Sequence, residues 1–191
     1  MNTATALLQL PIAPDLYLRR ATAADAQALY YIIDRDRPYL RRWLPFIDFS
    51  QGPGDTEAYL KYVTAPGNMS DLVFVIVHEQ KVCGLIGFKG MDKLNKKLEI
   101  GYWLAEDKQG KGIMRRACQT LITYAFEKLR MNRIEIRVGV GNERSSNIPK
   151  KLGFTLEGVQ RHGEFLNDHF HDLEVYSLLR HEFSAGANGQ D

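Results

Sequence analysis

The chain has 191 residues, with 25 lysines and arginines against 23 aspartates and glutamates and a formal charge of +2. That length suits one domain with a sizeable core, and so even a charge balance demands no nucleic-acid partner. The two cysteines, Cys83 and Cys118, sit in apolar segments and form neither a zinc pattern nor a disulfide framework, which favours a reducing cytoplasm.

From the start, residues 4–13 are mildly apolar, but they lack a basic flank and are too short to span a membrane. A strand is expected over 16–19, then a helix opening near Thr22 and running through Ala28 to Ile33. Residues 35–44 read as a second helix kinked at Pro38, 51–54 as a loop and 56–63 as a third helix. Residues 72–78 and 81–89 read as a hairpin around Glu79-Gln80, followed by a largely buried strand over 98–104. Met114, Cys118, Leu121, Ala125 and Leu129 then recur at three- and four-residue steps, with Ile122 and Phe126 broadening the stripe. That period describes a long helix with one face on a core. A strand over 133–140 and a short helix over 145–152 follow. Strands over 155–165 and 170–179, joined at Leu166-Asn167-Asp168-His169, close the pattern. Residues 184–190 are small and polar and read as a fraying end. With no repeat or linker, residues 1–191 read as one domain with an ordered core over about 14–183. Helices interleaved with a mainly antiparallel sheet imply an α/β (α+β) sandwich of three layers.

Most of the chemistry lies in Lys108-Gln109-Gly110-Lys111-Gly112-Ile113-Met114-Arg115, between the buried strand and the long helix. A Gly-punctuated turn at a helix N-terminus presents unpaired N–H groups and the positive end of a dipole, so it can hold an anion. The spacing is neither the P-loop pattern nor the dinucleotide G-x-G-x-x-G.

Gln109-x-x-Gly112 resembles the pyrophosphate loop, Q/R-x-x-G-x-G/A, of the GCN5-related N-acetyltransferases (GNAT). Met114 occupies the last position, where the family usually has Gly or Ala. Because such a loop works through backbone amides, Met114 is tolerable if it turns into the core. A second segment strengthens the resemblance. The strand Ile134-Glu135-Ile136-Arg137-Val138, then Gly141-Asn142-Glu143-Arg144-Ser145, then Lys150-Lys151-Leu152-Gly153-Phe154 match the family's N-x-x-S followed by a helix ending in K-x-G-F. Ser145 reads as the N-cap, Pro149 as a first-turn residue and Gly153 as the C-terminal stop. The resemblance runs from about Leu16 to Phe183. It is closest to the bacterial branch that acetylates N-terminal serine or alanine of ribosomal proteins, through Trp43-Leu44-Pro45-Phe46, Leu94-Asn95-Lys96 and Glu164-Phe165-Leu166-Asn167-Asp168.

The resemblance implies a mixed sheet splayed between its fourth and fifth strands, here 98–104 and 133–140, with acetyl-CoA entering the gap. It implies that Tyr102, Trp103 and Leu104 serve the pantetheine arm and the thioester carbonyl. Gln109, Gly110, Lys111, Gly112, Ile113 and Met114 would serve the pyrophosphate, and the Asn142 amide the pantetheine. Many relatives donate a proton from a Tyr at the position that Pro149 holds here. Ser145 is the remaining donor on that segment, and the resemblance makes Ser145 the general acid and Glu164 the general base. The expected reaction is direct acetyl transfer, in a ternary complex, to a primary amine, most simply a protein N-terminal α-amine. Such an amine has a pKa near 8 and is partly neutral at pH 7.

Other readings stay open at this point. A polyamine or aminoglycoside acceptor would require a carboxylate-lined cleft, against which Arg41 and Arg42 lean. A non-catalytic acetyl-CoA-binding module would have no use for Ser145 and Glu164, though Glu164 also reads as a solvated hairpin carboxylate. His169 and His171 share a strand face but lack a third metal ligand, so no metal is expected. Trp43 and Phe46 read as core, although the resemblance places this region beside the acceptor site. Asp34-Arg35-Asp36-Arg37 and Arg41-Arg42 read as a mixed-charge helix surface, with Arg41 and Arg42 flanking a substrate groove as the alternative. No direct nucleic-acid or membrane partner is expected, and a homodimer remains open.

Overall fold

The computed structural model describes residues 8–183; the expectations for residues 4–7 and for the polar end lie outside them. The described strands are β1 (Gln9–Ala13), β2 (Leu16–Arg20), β3 (Leu72–His78), β4 (Lys81–Asp92), β5 (Lys97–Leu104), β6 (Arg133–Gly139), β7 (Thr155–Leu166) and β8 (His169–Leu179). They form one sheet in the order β1-β2-β3-β4-β5-β6-β8-β7. All neighbours run antiparallel except β5 and β6, which run parallel. Helices α1 (Ala26–Arg35), α2 (Arg37–Leu40), α3 (Pro53–Thr64), α4 (Ile113–Glu127) and α5 (Glu143–Lys151) flank it.

Strand alternation builds a core on each face. Along β3, Leu72, Phe74 and Ile76 join α4, whereas Val73, Val75 and Val77 join α1 and α3. A strand apolar on both faces is what a sheet covered on both sides requires. On β5, Leu98, Ile100 and Leu104 face α4, and Trp103 faces the other layer. The stripe predicted on α4 is used as far as the helix runs: Met114, Cys118, Leu121, Ile122, Ala125 and Phe126 are buried, whereas Leu129 lies past the helix end at Glu127 and is only partly buried.

The splay is present. β5 and β6 pair only where Lys97–Glu99 meets Arg133–Glu135, and the rest of each strand diverges from the other. Because β1 adds an edge strand beyond β2, the gap falls between the fifth and sixth strands rather than the fourth and fifth. The helix expected over 35–44 is instead interrupted at Asp36 and resumes for a single turn as α2. Pro38 sits in that first turn, where a missing N–H is harmless, so it restarts the helix instead of kinking it. α3 begins at Pro53, inside the expected loop, because the Asp55 carboxylate accepts from the N–H groups of Gln51 and Gly52 at 2.8 and 3.0 Å. β7 and β8 are joined by a two-residue turn in which Asn167 and Asp168 both take positive φ, 52° and 63°. Both residue types tolerate that conformation, and the turn sets Glu164 opposite His171.

Candidate active site

The loop ahead of α4 is shaped by Gly110 and Gly112, with φ of 71° and 68°, a region costly for other residues. A Cβ at either glycine would meet nothing within 4 Å, so the space beside the first N–H groups of α4 is open. Ile113 and Met114 turn inward and are buried, so Met114 meets the condition under which its side chain is tolerable at the last position of the loop.

A cavity of about 710 Å³ opens at this helix start. Tyr102, Trp103, Leu104, Gln109, Gly110, Gly112, Ile113, Met114, Asn142 and Ser145 line it, whereas Lys111 and Glu164 do not. Where β5 leaves β6, its outer edge forms one wall. The Ala105 N–H bonds the Cys83 carbonyl on β4 at 2.8 Å. Successive amides alternate sides, so the Leu104 N–H points toward the gap.

The opposite wall is α5, and its start differs from expectation. Asn142, not Ser145, is the N-cap: its Oδ1 accepts from the Ser145 N–H at 3.2 Å. That bond leaves the Asn142 NH₂ free to donate into the cavity. Pro149 lies inside the helix rather than in its first turn. A normal residue there would donate its N–H to the carbonyl of Ser145. Instead the Tyr102 hydroxyl donates to that carbonyl at 3.2 Å, and Ser145 Oγ donates to the Tyr102 hydroxyl, also at 3.2 Å. Burial, with the nearby Cys118 thiol, pushes the Tyr102 pKa far up, only partly offset by the Ser145 hydrogen bond, so the phenol stays protonated.

Glu164 is half-buried, and His171 beside it on β8 lies on the sheet face turned away from α4. Burial raises the Glu164 pKa, Lys89 and His171 pull it down, and Glu99 pushes it up. Ser145 and Glu164 therefore do not share one cavity. Glu99, from the base of the gap, is held by Lys89 at 2.8 Å and Arg137 at 3.6 Å.

Several contributions escaped the sequence reading. Trp43, expected in the core, is half-buried and lines the cavity, its ring about 3.4 Å from where a Cβ would stand on Gly139. Arg115, Arg144 and Lys151 add cationic groups to the lining, and Arg144 donates to the Gln109 side chain at 2.9 Å. Arg144 and Lys151 stand inside the two motifs already singled out, which was the available signal. Arg41 is paired with Asp48 at 2.6 Å, and Arg42 stacks on Trp43 at 5.1 Å. His169 Nδ1 lies 2.8 Å from the Asn167 carbonyl and His171 Nε2 3.1 Å from that of Leu166. Among the described residues no group of three or more potential ligands could hold a metal.

A family model described as an acetyltransferase (GNAT) domain matches residues 15–155. The chain belongs to the GNAT acetyltransferase family. As a GNAT enzyme it is 36% identical over 171 residues to YdaF of Bacillus subtilis, which is named as a candidate ribosomal N-acetyltransferase; the match covers 87% of this chain and 92% of that one. It is 32% identical over 176 residues to the ribosomal-protein-serine acetyltransferase of Escherichia coli, covering 89% and 96% respectively. A solved ribosomal L7/L12 alpha-N-protein acetyltransferase in complex with coenzyme A superposes with a TM-score of 0.86 at 26% identity, covering 90% of this chain and 98% of that chain. The GNAT cavity here suits the same class of cofactor: open amides and cationic side chains stand at the start of α4, and an unpaired strand edge forms the wall beyond.

Proposed function

We propose that this N-acetyltransferase moves the acetyl group of acetyl-CoA directly onto the N-terminal α-amine of a ribosomal protein in the cytoplasm. The observation that carries the reading is a single cavity joining the glycine-shaped start of α4, the diverging edge of β5 and the Ser145 hydroxyl. The likeness to ribosomal-protein acetyltransferases supports the acceptor class.

In this reading the amides of Gln109 to Met114 hold the pyrophosphate, with Lys111 offering a screened charge from outside the cavity. Tyr102, Trp103 and Asn142 line the pantetheine path. The Leu104 N–H polarises the thioester carbonyl, a preorganised donor of a kind worth about a hundredfold or more in rate. Ser145 protonates the leaving sulfur. Glu164, whose raised pKa brings it nearer the working pH, takes the amine proton directly or through a water from the face away from α4. The acceptor reaches the gap past Trp43 and the β7–β8 hairpin, whose Asn167 is tied to the Arg41 carbonyl at 3.4 Å. No step calls for a metal, a nucleic acid or a membrane. Among the described residues no helix is long and apolar enough to cross one.

The test is an acetyl-CoA turnover screen against peptides with N-terminal serine or alanine, polyamines and aminoglycosides. Peptides turning over at least tenfold faster in kcat/KM support the reading. Preference for a polyamine or aminoglycoside overturns the acceptor while leaving the family intact.

A further inference from the structure

Pro149 leaves the Ser145 carbonyl without its helical donor, and a side chain 43 residues away in sequence fills the vacancy. The Tyr102 oxygen is equidistant, at 3.2 Å, from the Ser145 carbonyl oxygen and from Ser145 Oγ. One phenol therefore touches both the backbone and the hydroxyl of the same residue. Its position follows from the sheet. Tyr102 is on the part of β5 that has left β6; its ring packs against the core beneath α4 and its hydroxyl reaches Ser145 on α5.

We infer that Tyr102 is a positioning residue for the transfer step: it fixes the Ser145 hydroxyl and turns its own O–H onto Ser145 Oγ as that oxygen gives up its proton. This rests on the assignment of Ser145 as the acid. At rest, the phenol O–H is donated to the Ser145 carbonyl and Ser145 Oγ–H to the phenol oxygen. During transfer, the O–H bond of Ser145 breaks as an S–H bond forms on the leaving sulfur. The charge left on Oγ is met by the Tyr102 O–H, which needs only a rotation about its C–O bond. The serine then regains a proton from solvent, matching the one the amine released, so no proton is gained or lost overall. A protonated phenol is required throughout, in keeping with the burial that raises its pKa. A serine hydroxyl alone is a weak acid for this task, and an adjacent donor to its conjugate base makes it a stronger one.

The carbonyl and hydroxyl roles can be separated, because Pro149→Ala restores the backbone N–H that the carbonyl lacks. Five forms would be compared: wild type, Tyr102→Phe, Tyr102→Phe with Pro149→Ala, Ser145→Ala, and Tyr102→Phe with Ser145→Ala. The readouts are Tm, acetyl-CoA Kd by calorimetry, and kcat and KM with the best acceptor from the screen. Tyr102→Phe should lower kcat at least tenfold with Kd and KM for acetyl-CoA within about threefold, and should lower Tm. Adding Pro149→Ala should recover Tm but not kcat. Combining Tyr102→Phe with Ser145→Ala should cost no more kcat than Ser145→Ala alone. Recovery of kcat in the Tyr102→Phe, Pro149→Ala protein would show that Tyr102 only props the helix and would overturn the inference. A normal kcat in folded Tyr102→Phe would do the same while a Ser145→Ala loss kept the acid assignment. A normal kcat in Ser145→Ala would remove both. If Tyr102→Phe alone does not fold, the form carrying Pro149→Ala supplies the missing bond and answers the same question.

Discussion

Lys108 Nζ sits 2.8 Å from Glu79 Oε2 and 3.3 Å from His78 Nδ1, at the tip of the β3–β4 hairpin. The lysine that opens the glycine-shaped loop ahead of α4 is thereby tied to protein, holding the loop against the hairpin. The bond to Glu79 raises the Lys108 pKa, and Lys108 in turn keeps Glu79 below the usual carboxylate range. With Lys108 paired, the backbone amides of the loop and the Arg115, Arg144 and Lys151 side chains are the groups left to meet an anion at this helix start.

A first prediction follows from that pairing. Lys108→Ala should weaken acetyl-CoA binding by less than threefold, measured by calorimetry at about 0.15 M salt, where exposed charges are strongly screened. A tenfold loss would show that Lys108 leaves Glu79 for the phosphate when the cofactor binds.

Gly112→Val should do far more. Gly112 has φ of 68°, so valine is strained there, and its Cβ would enter the open space beside the α4 amides. The expected loss in acetyl-CoA affinity is at least tenfold, about 1.4 kcal/mol. Unchanged affinity in a folded Gly112→Val protein would move the pyrophosphate elsewhere.

Trp43→Ala should act on the acceptor. The Trp43 ring stands between the cavity and Gly139, on the side where the β7–β8 hairpin meets the segment after α2. Removing it should raise the peptide KM severalfold while the acetyl-CoA Kd changes less than threefold. The opposite pattern would place Trp43 on the cofactor side.

What could be read in advance were the contiguous features. The α4 stripe, the β3–β4 and β7–β8 hairpins and the glycine loop each lie within a single short window, where period and turn chemistry are explicit. β1 was missed because Pro11 lies within it, and a proline inside an apolar run argues against a strand unless the strand is an edge. At α5, Asn142 and Ser145 are both good caps, and composition does not choose between them. The choice is tertiary: with Asn142 as the cap, the Ser145 hydroxyl is released to reach Tyr102. The bonds that assemble the site, Tyr102 with Ser145 and Arg144 with Gln109, link segments 43 and 35 residues apart. No local period encodes them. Glu164 was legible as a residue of a distinctive motif, but not its place on the sheet face turned away from α4, outside the lining that Ser145 joins.

Glu164→Gln should separate activity from stability. Burial raises the carboxyl pKa above its ordinary value, against the opposing pull of Lys89 and His171 and with help from Glu99. The folded state thus holds this proton more tightly than the unfolded chain does. The stability linked to it is fully present below the unfolded pKa and is lost as pH rises through the raised folded value. Glutamine, neutral and nearly isosteric, carries no such loss. At pH 7 the variant should therefore have a higher Tm than the wild type, and the two should converge near pH 4. Activity should move the other way, with kcat at pH 7 falling by roughly 10²–10⁴ if Glu164 takes the amine proton. That deficit should shrink as pH approaches the acceptor's own pKa near 8, where free amine needs no base. Tm across pH 4 to 8 and kcat across pH 6 to 9 measure both arms. A Glu164→Gln enzyme with normal kcat at pH 7 would make Glu164 a structural carboxylate and leave deprotonation of the amine to solvent.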